Sequence, residues 1–322
     1  MKHLKAIVLI LVITTIVAGC TSTETKNSKE NNNEELVLYS SLYPIQFATE
    51  RIAGNTATVK SVYPPGVDAH TFEPTSKDMT DIAKSDAFFY LGNGMEAFAE
   101  TAADALKNQD VKLMEFGNNE NLFHTNESEH THDEEPNHET ESDHEGHNHG
   151  DSDPHIWLDP SRMLEMSEMI KSKLIELNPE SESIYMENFE TLKKDLQKLD
   201  NAYSETLEGK ENKKILVAHA AYGYWEEAYG LEQLAINKSS GSEPSQKELT
   251  EIIDQAKKNN IEYIISEQNS SSRLTDVIRK EINAEEVTVH NLSVLTDEDI
   301  ANDEDYLSLM YSNLETLNLV TQ

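Results

Sequence analysis

Between residues 181 and 207 the large apolar side chains fall at Tyr185, Phe189, Leu192, Leu196, Leu199 and Tyr203, in steps of four, three, four, three and four. This spacing predicts one continuous apolar stripe along a helix of roughly 40 Å, at 1.5 Å per residue. Such a helix is long for a single lobe. It reads as a spine between two lobes or as a long surface helix. About 290 residues beyond a leader are too many for one small core and fit two lobes.

Strand and helix patterns alternate on both sides of the stripe. Before it, strands are predicted at Leu36–Ser40, Thr56–Tyr63, Ala87–Tyr90 and Val111–Phe116. Helices are predicted between them at Ile45–Ala53, Thr75–Lys84 and Met95–Lys107, then at Ser161–Leu177, which Asn178-Pro179 ends. After the stripe, strands are predicted at Lys214–His219, Leu234–Ile236, Tyr263–Ser266 and Glu286–His290. The helices there are Tyr222–Tyr229, a segment opened by a Ser245/Glu248 capping box, Ser271–Ile282 and Tyr306–Leu319. Strands alternating with helices indicate parallel βα units, and so an α/β fold class.

Asn118 to Asp153 breaks the pattern. It holds seven histidines and twelve acids, with Leu122 and Phe123 its only large apolar residues. Such a segment cannot bury a core and is expected to be a disordered or loosely ordered insertion within the first lobe. Its histidines, His124, His130, His132, His138, His144, His147 and His149, are candidate auxiliary, weak metal ligands. The runs His130-x-His132 and His144-x-x-His147-x-His149 favour that reading over a solvated acidic spacer.

The chain starts with Lys2 and Lys5, an apolar stretch from Ala6 to Ala18, and Val17-Ala18-Gly19-Cys20. About 20 apolar residues are needed to span a bilayer, so the stretch reads as a signal peptide, residues 1–19, ending at a lipobox. Cys20 is then the lipidated first residue of the mature chain, and 20–35 a flexible polar tether. No other cysteine exists, which excludes an internal disulfide and thiolate ligation in the mature fold. A formal charge of −34 argues against nucleic acid and against a polybasic membrane contact, leaving the lipid as the anchor.

Three histidines stand apart from the tract: His70 in PPGVDAHTFEPT, His155 in DPHIWLDP and His219 in ILVAHAAYGYW. His219 and Glu267 close apolar strands, and ligands of open parallel sheets bind beyond the carboxyl ends of strands. His70 follows a strand by a Pro-Pro-Gly turn, and His155 follows the insertion. All three could face one cleft. Three imidazoles suit zinc with a fourth position for water or a carboxylate, and disfavour magnesium and calcium. The spacing alone does not bring them together.

These segments, with GSEPS and DYLSLMYSNL further on, resemble the substrate-binding lipoproteins of bacterial zinc ABC importers, the ZnuA/AdcA type, from about Leu36 onward. The resemblance implies two Rossmann-like α/β lobes, 36–178 and 210–322, joined by a long rigid helix within 179–209, with the metal in the cleft between lobes. It implies Zn2+ ligands at His70, His155 and His219. It also implies a non-enzymatic, monomeric receptor, lipid-anchored outside the cell membrane, that delivers zinc to an ABC permease. Manganese-binding relatives carry a carboxylate where His219 stands, and a His/acid-rich loop before the second ligand is typical of the zinc branch.

One departure stands out. The family often supplies a fourth, acidic ligand in a late loop, and here that loop reads His290-Asn-Leu-Ser-Val-Leu-Thr296, with Ser293 or Val294 in the acid's place. Water is then the first candidate for the fourth position. Glu267 follows, as ligand or as hydrogen-bond partner of an imidazole, and then His290, Asp297 or an acid of the tract. Competing functions are manganese import, a zinc-dependent surface adhesin and a secreted zinc hydrolase. The last lacks an HExxH motif.

Overall fold

In the first half, strand β1 (Leu36–Ser40) lies between β2 (Ala57–Ser61) and β3 (Ala87–Tyr90), with β4 (Lys112–Glu115) outermost, and all pairs are parallel. In the second half, β5 (Lys214–His219) lies between β6 (Glu232–Asn237) and β7 (Tyr263–Glu267), with β8 (Glu285–Val289) outermost, again all parallel. The predicted α/β class holds. The molecule is a computed structural model, which describes residues 35–123, 153–237, 244–268 and 273–321. The leader, Cys20, the tether up to residue 34 and the seven tract histidines lie outside the described residues.

The two sheets share one strand order. In each, the chain leaves a central strand to one side and then crosses to the other, so the order reverses between β1 and β3 and between β5 and β7. Ligand crevices form at such reversals, beyond the strands' carboxyl ends. His219 ends β5 and Glu267 ends β7, so both stand at the second reversal. β3, AFFY, is buried along its whole length, as expected of an inner parallel strand covered on both faces.

Ten helices are described: α1 (Tyr43–Ala53), α2 (Ser76–Ile82), α3 (Ala99–Leu106), α4 (Pro160–Leu177), α5 (Glu182–Leu207), α6 (Gly223–Tyr229), α7 (Gln246–Lys258), α8 (Arg273–Ile282), α9 (Asp297–Ala301) and α10 (Tyr306–Val320). The predicted Ser245/Glu248 capping box opens α7, and similar boxes open α2, α9 and α10. α6 ends at Gly230, whose φ of 70° suits the left-handed cap.

α5 carries the predicted stripe: Tyr185, Phe189, Leu192, Leu196, Leu199 and Tyr203 are buried, and Leu207 extends it. Its first and middle turns bond to the first half, with Asn188 Nδ2 donating to Ile52 O at 3.0 Å and Arg51 pairing with Asp195. Its last turns bond to the second half, with Tyr203 Oη donating to Met310 O at 2.7 Å and Tyr229 Oη to Asp200 at 2.9 Å. One apolar cluster includes residues of both sheets and of α5, and a smaller one fills the space between β5–β7, α7 and α8.

Several boundaries differ from expectation. The helix predicted from Met95 starts only at Ala99. Gly92, Asn93 and Gly94 have positive φ, and Glu96 turns back to accept from Leu91 N, Gly92 N and Ser41 Oγ. α9 has five residues and no apolar periodicity, so only its Thr296/Asp299 box could have revealed it. The expected disordered insertion is also too wide as drawn. Leu122 and Phe123 are buried, and Arg162 Nη1 donates to Leu122 O at 2.7 Å. The tract's two large apolar residues both lie at its start, and there they dock that end onto the fold.

Candidate metal site

His70 sits in the loop between β2 and α2. Tyr63 Oη donates to Ala69 O at 2.9 Å, His70 N to Asp68 Oδ1 at 2.9 Å and Gly66 N to Leu295 O at 2.9 Å. The Pro-Pro-Gly turn is therefore tied down at both ends. His155 precedes a buried 3-10 turn, Ile156–Leu158, and is itself 2% exposed. His219 is the last residue of β5, paired across to Asn237 of β6.

One ring nitrogen from each of His70, His155 and His219 lies within 4.8 Å of the other two. The ring centroids are 5.5 Å apart for His70 and His155, 5.8 Å for His70 and His219, and 5.3 Å for His155 and His219. Tetrahedral zinc with Zn–N bonds of about 2.0–2.1 Å needs nitrogens about 3.4 Å apart, so small side-chain shifts close the ring onto a metal. Among the described residues no other group of three or more His, Cys, Asp or Glu converges in this way.

Two carboxylates orient two of the rings. Asp153 Oδ1 lies 2.7 Å from His155 Nδ1, and Glu267 Oε1 lies 2.9 Å from His219 Nδ1. Burial pushes both acids upward, but hydrogen bonds and charge from the histidines outweigh it, helped by Gly223 N for Asp153 and by Asn291 for Glu267. Both sit below the usual carboxylate range. An ionised carboxylate only accepts, so each Nδ1 carries a proton, and in the neutral ring that leaves the Nε2 lone pair for a metal. His70 is pushed below its ordinary value first by burial and then by its two imidazole neighbours, which keeps it neutral and able to ligate.

The ZnuA family model, described as zinc-uptake complex component A periplasmic, matches residues 38–319. The chain belongs to the ZnuA family. Among its relatives, the zinc-binding lipoprotein AdcA of Streptococcus pneumoniae is 32% identical over 296 residues, covering 92% of this chain and 58% of AdcA. The chain thus spans just over half the length of that relative. The high-affinity zinc uptake system protein ZnuA of Bacillus subtilis is 28% identical over 303 residues, covering 94% of this chain and 92% of that protein. The crystal structure of the Zn(II)-bound ZnuA-like domain of S. pneumoniae AdcA superposes with a TM-score of 0.72 at 30% identity, covering 89% of this chain and 99% of that domain.

Within this ZnuA-family fold the remaining candidates separate clearly. Glu267 is not a member of the convergent set. Its Oε1 faces His219, and its Oε2 accepts from Asn291 Nδ2 at 2.7 Å. His290 is buried with both ring nitrogens engaged, Nδ1 accepting from Leu292 N at 2.9 Å and Nε2 lying 3.0 Å from Asp299. Asp297 is exposed at the start of α9. Ser293 is buried and donates to Asn291 Oδ1 at 2.8 Å, and Val294 is buried beside it.

Two site residues escaped the sequence reading. Asp153 counts there as the last acid of the tract, yet its carboxylate also accepts from His155 N and from Gly223 N, at 3.0 and 3.2 Å. A Cβ added at Gly223 would come within 2.8 Å of that carboxylate, so a side chain there would push Asp153 away from the Gly223 N–H. The signal available was the Asp-Pro-His order, which places a carboxylate two residues before His155. Asn291 was the other omission, and nothing in its local sequence points to Glu267.

Proposed function

We propose that this chain is an extracytoplasmic zinc receptor. It captures Zn2+ as transported substrate on His70, His155 and His219 and delivers it to an ABC permease in the membrane. In this reading it acts as a monomer without enzymatic turnover, held at the membrane only through lipid on Cys20. It divides into lobes 36–178 and 210–322 joined by a linker helix within 179–209. Support for that division is one parallel sheet per lobe, with α5 bonded to both.

The observation that carries the function is the convergence of three imidazoles in a ZnuA-family fold, two of them held in the metal-ready tautomer by carboxylates. Nitrogen donors favour zinc over harder cations, and an all-imidazole set argues against manganese. With Glu267 engaged by His219 and Asn291, water is the proposed fourth ligand. The deciding experiment is metal analysis of protein purified without chelator, joined to competition titration. One tight zinc per chain is expected, and no zinc, or tighter manganese, sinks the reading. Zinc-limited growth of a deletion strain separates uptake from adhesion.

Affinity should depend on pH with a definite sign. Zinc needs neutral imidazoles, and free imidazole titrates near ~6.5, so apparent affinity should fall steeply below roughly pH 6 with proton release on binding. His70, held below the ordinary histidine value by burial and its imidazole neighbours, takes up its proton only at a lower pH than a free imidazole would. A flat affinity from about pH 7 to pH 5 would speak against imidazole ligation.

Deleting residues 124 to 150 should leave the tight site intact, because its three imidazoles and their carboxylates all lie outside the deletion. Only weaker zinc equivalents should disappear in equilibrium dialysis. Loss of the tight equivalent would mean that the tract supplies a primary ligand.

A further inference from the structure

We infer that Asn291 is a positioning residue for the metal site. It fixes Glu267 as the partner of His219 and ties that pair to the segment carrying His155. This inference rests on the zinc-receptor reading above.

Asn291 lies in the loop between β8 and α9. Its Nδ2 donates to Glu267 Oε2 at 2.7 Å. Its Oδ1 accepts from Ser293 N at 3.1 Å, Ser293 Oγ at 2.8 Å and Gln268 Nε2 at 3.0 Å. Its backbone N donates to Gln268 Oε1 at 3.0 Å, and its carbonyl accepts from Trp157 Nε1 at 2.8 Å. These partners decide the amide's orientation. A backbone N–H can only donate and an ionised carboxylate can only accept, so Oδ1 faces Ser293 and Nδ2 faces Glu267.

The loop around Asn291 is held from several directions. Leu292 is fully buried with φ at 60°, a left-handed conformation that an L-residue with a bulky side chain rarely adopts. Such strain persists where surrounding contacts over-determine it. Tyr43 N donates to Ser293 O and Gly66 N to Leu295 O, both at 2.9 Å. Gly66 belongs to the loop that carries His70. One loop thus bonds to the segments of His70 and His155 and to Glu267, the partner of His219, and Asn291 supplies the side chain that makes the last of these contacts.

The chemistry follows from tautomer control. Glu267 Oε1 orients His219 only while the carboxylate stays where Asn291 and Gln268 hold its neighbourhood. Without the Nδ2 donor, Glu267 is free to rotate, and His219 loses the partner that keeps its proton on Nδ1. The same donor keeps Glu267 off the metal, so the site is built from three imidazoles with its fourth position left to a non-protein ligand. Ser293, two residues on in the same loop, braces the asparagine through both its N–H and its hydroxyl.

A double-mutant cycle on the full mature chain tests this, with zinc affinity from competition titration. Asn291→Ala and Glu267→Ala should each weaken zinc about tenfold, as removal of a metal ligand's hydrogen-bond partner does. The double variant should also lose about tenfold rather than a hundredfold, because both changes break one interaction. Long-range proton–nitrogen NMR of the metal-free protein should find His219 protonated on Nδ1 in the parent and in mixed tautomers in Asn291→Ala. If that variant folds poorly, Asn291→Ser, too short to reach Glu267, replaces it in both measurements. Multiplying losses, an unchanged affinity, or an unchanged His219 tautomer would overturn the inference. Failure of the parent chain to bind zinc would instead remove the receptor reading, so the two failures are distinguishable.

Discussion

Replacing His155 with alanine is expected to weaken zinc binding at least a hundredfold, and replacing His70, His155 and His219 together should abolish the tight site. Apparent binding free energies of structural zinc sites are about 10–16 kcal/mol, spread over four ligands, which is roughly 3 kcal/mol or more per protein ligand. At 1.4 kcal/mol per decade that is about two orders of magnitude in affinity. His155 is the most enclosed of the three at 2% exposed. Its removal also takes one partner from Asp153, whose depressed carboxyl keeps the backbone N–H groups of residue 155 and Gly223 but loses the imidazole proton. Asp153→Asn gives the contrast. It keeps the ligand, loses the ionised acceptor of the imidazole proton, and should cost about ten- to a hundredfold. Competition titration against a chelator of known affinity measures both. A triple variant that still bound zinc tightly would place the site elsewhere.

What the sequence discloses here follows from the range of the physics involved. The α5 stripe and the β5 strand were legible because they follow from local periodicity. Tyr185 through Tyr203 repeat at helical spacing, and Lys214–His219 is an apolar run ending in histidine. The Ser245 and Glu248 capping box is likewise a short-range signal. The three imidazoles could be singled out by their Pro-, Gly- and aromatic-rich settings, but their convergence is tertiary. It follows from the β5/β7 reversal, from the Gly66–Leu295 tie, and from the docking of Ile156–Leu158. Asp153 was obscured by composition, since it ends a run of acids, and only its Asp-Pro-His order sets it apart from Glu145, which also has an imidazole two residues on. Asn291 pairs with Glu267 across the ends of β7 and β8, and no local pattern encodes that pairing. The α3 start was misread because helical propensity near Met95 loses to a buried Glu96 that satisfies the backbone of the preceding glycine turn.

Trp157→Ala should be among the most destabilising single substitutions in the chain, at about 3–5 kcal/mol, the range for truncating a buried aromatic to alanine. The indole is 1% exposed and packs 5.4 Å from the His155 ring. Its Nε1 donates to Asn291 O at 2.8 Å, and its own carbonyl accepts from Tyr306 Oη at 2.7 Å. The residue therefore fills volume, satisfies a carbonyl of the 290–295 loop, and joins α10 to the turn behind His155. Trp157→Phe separates these roles. It keeps most of the ring volume and leaves Asn291 O without its donor, which should cost about 1–3 kcal/mol. Denaturant unfolding of the metal-free protein reads both as a shift in midpoint at unchanged slope. Against a total stability of about 5–15 kcal/mol, the alanine variant should move that midpoint severely. Zinc should recover part of the loss, since a ligand at a thousand times its Kd adds about 4 kcal/mol to any form that still binds it. The recovery should be complete for Trp157→Phe, where the His155 turn keeps its packing and about 4 kcal/mol from zinc exceeds the loss. It should be smaller for Trp157→Ala, where the cavity lies directly behind the His155 ring. A loss under about 1 kcal/mol for the alanine variant would mean that this turn is not part of the packed core. Equal recovery in both variants would mean that the metal site does not depend on the packing beneath it.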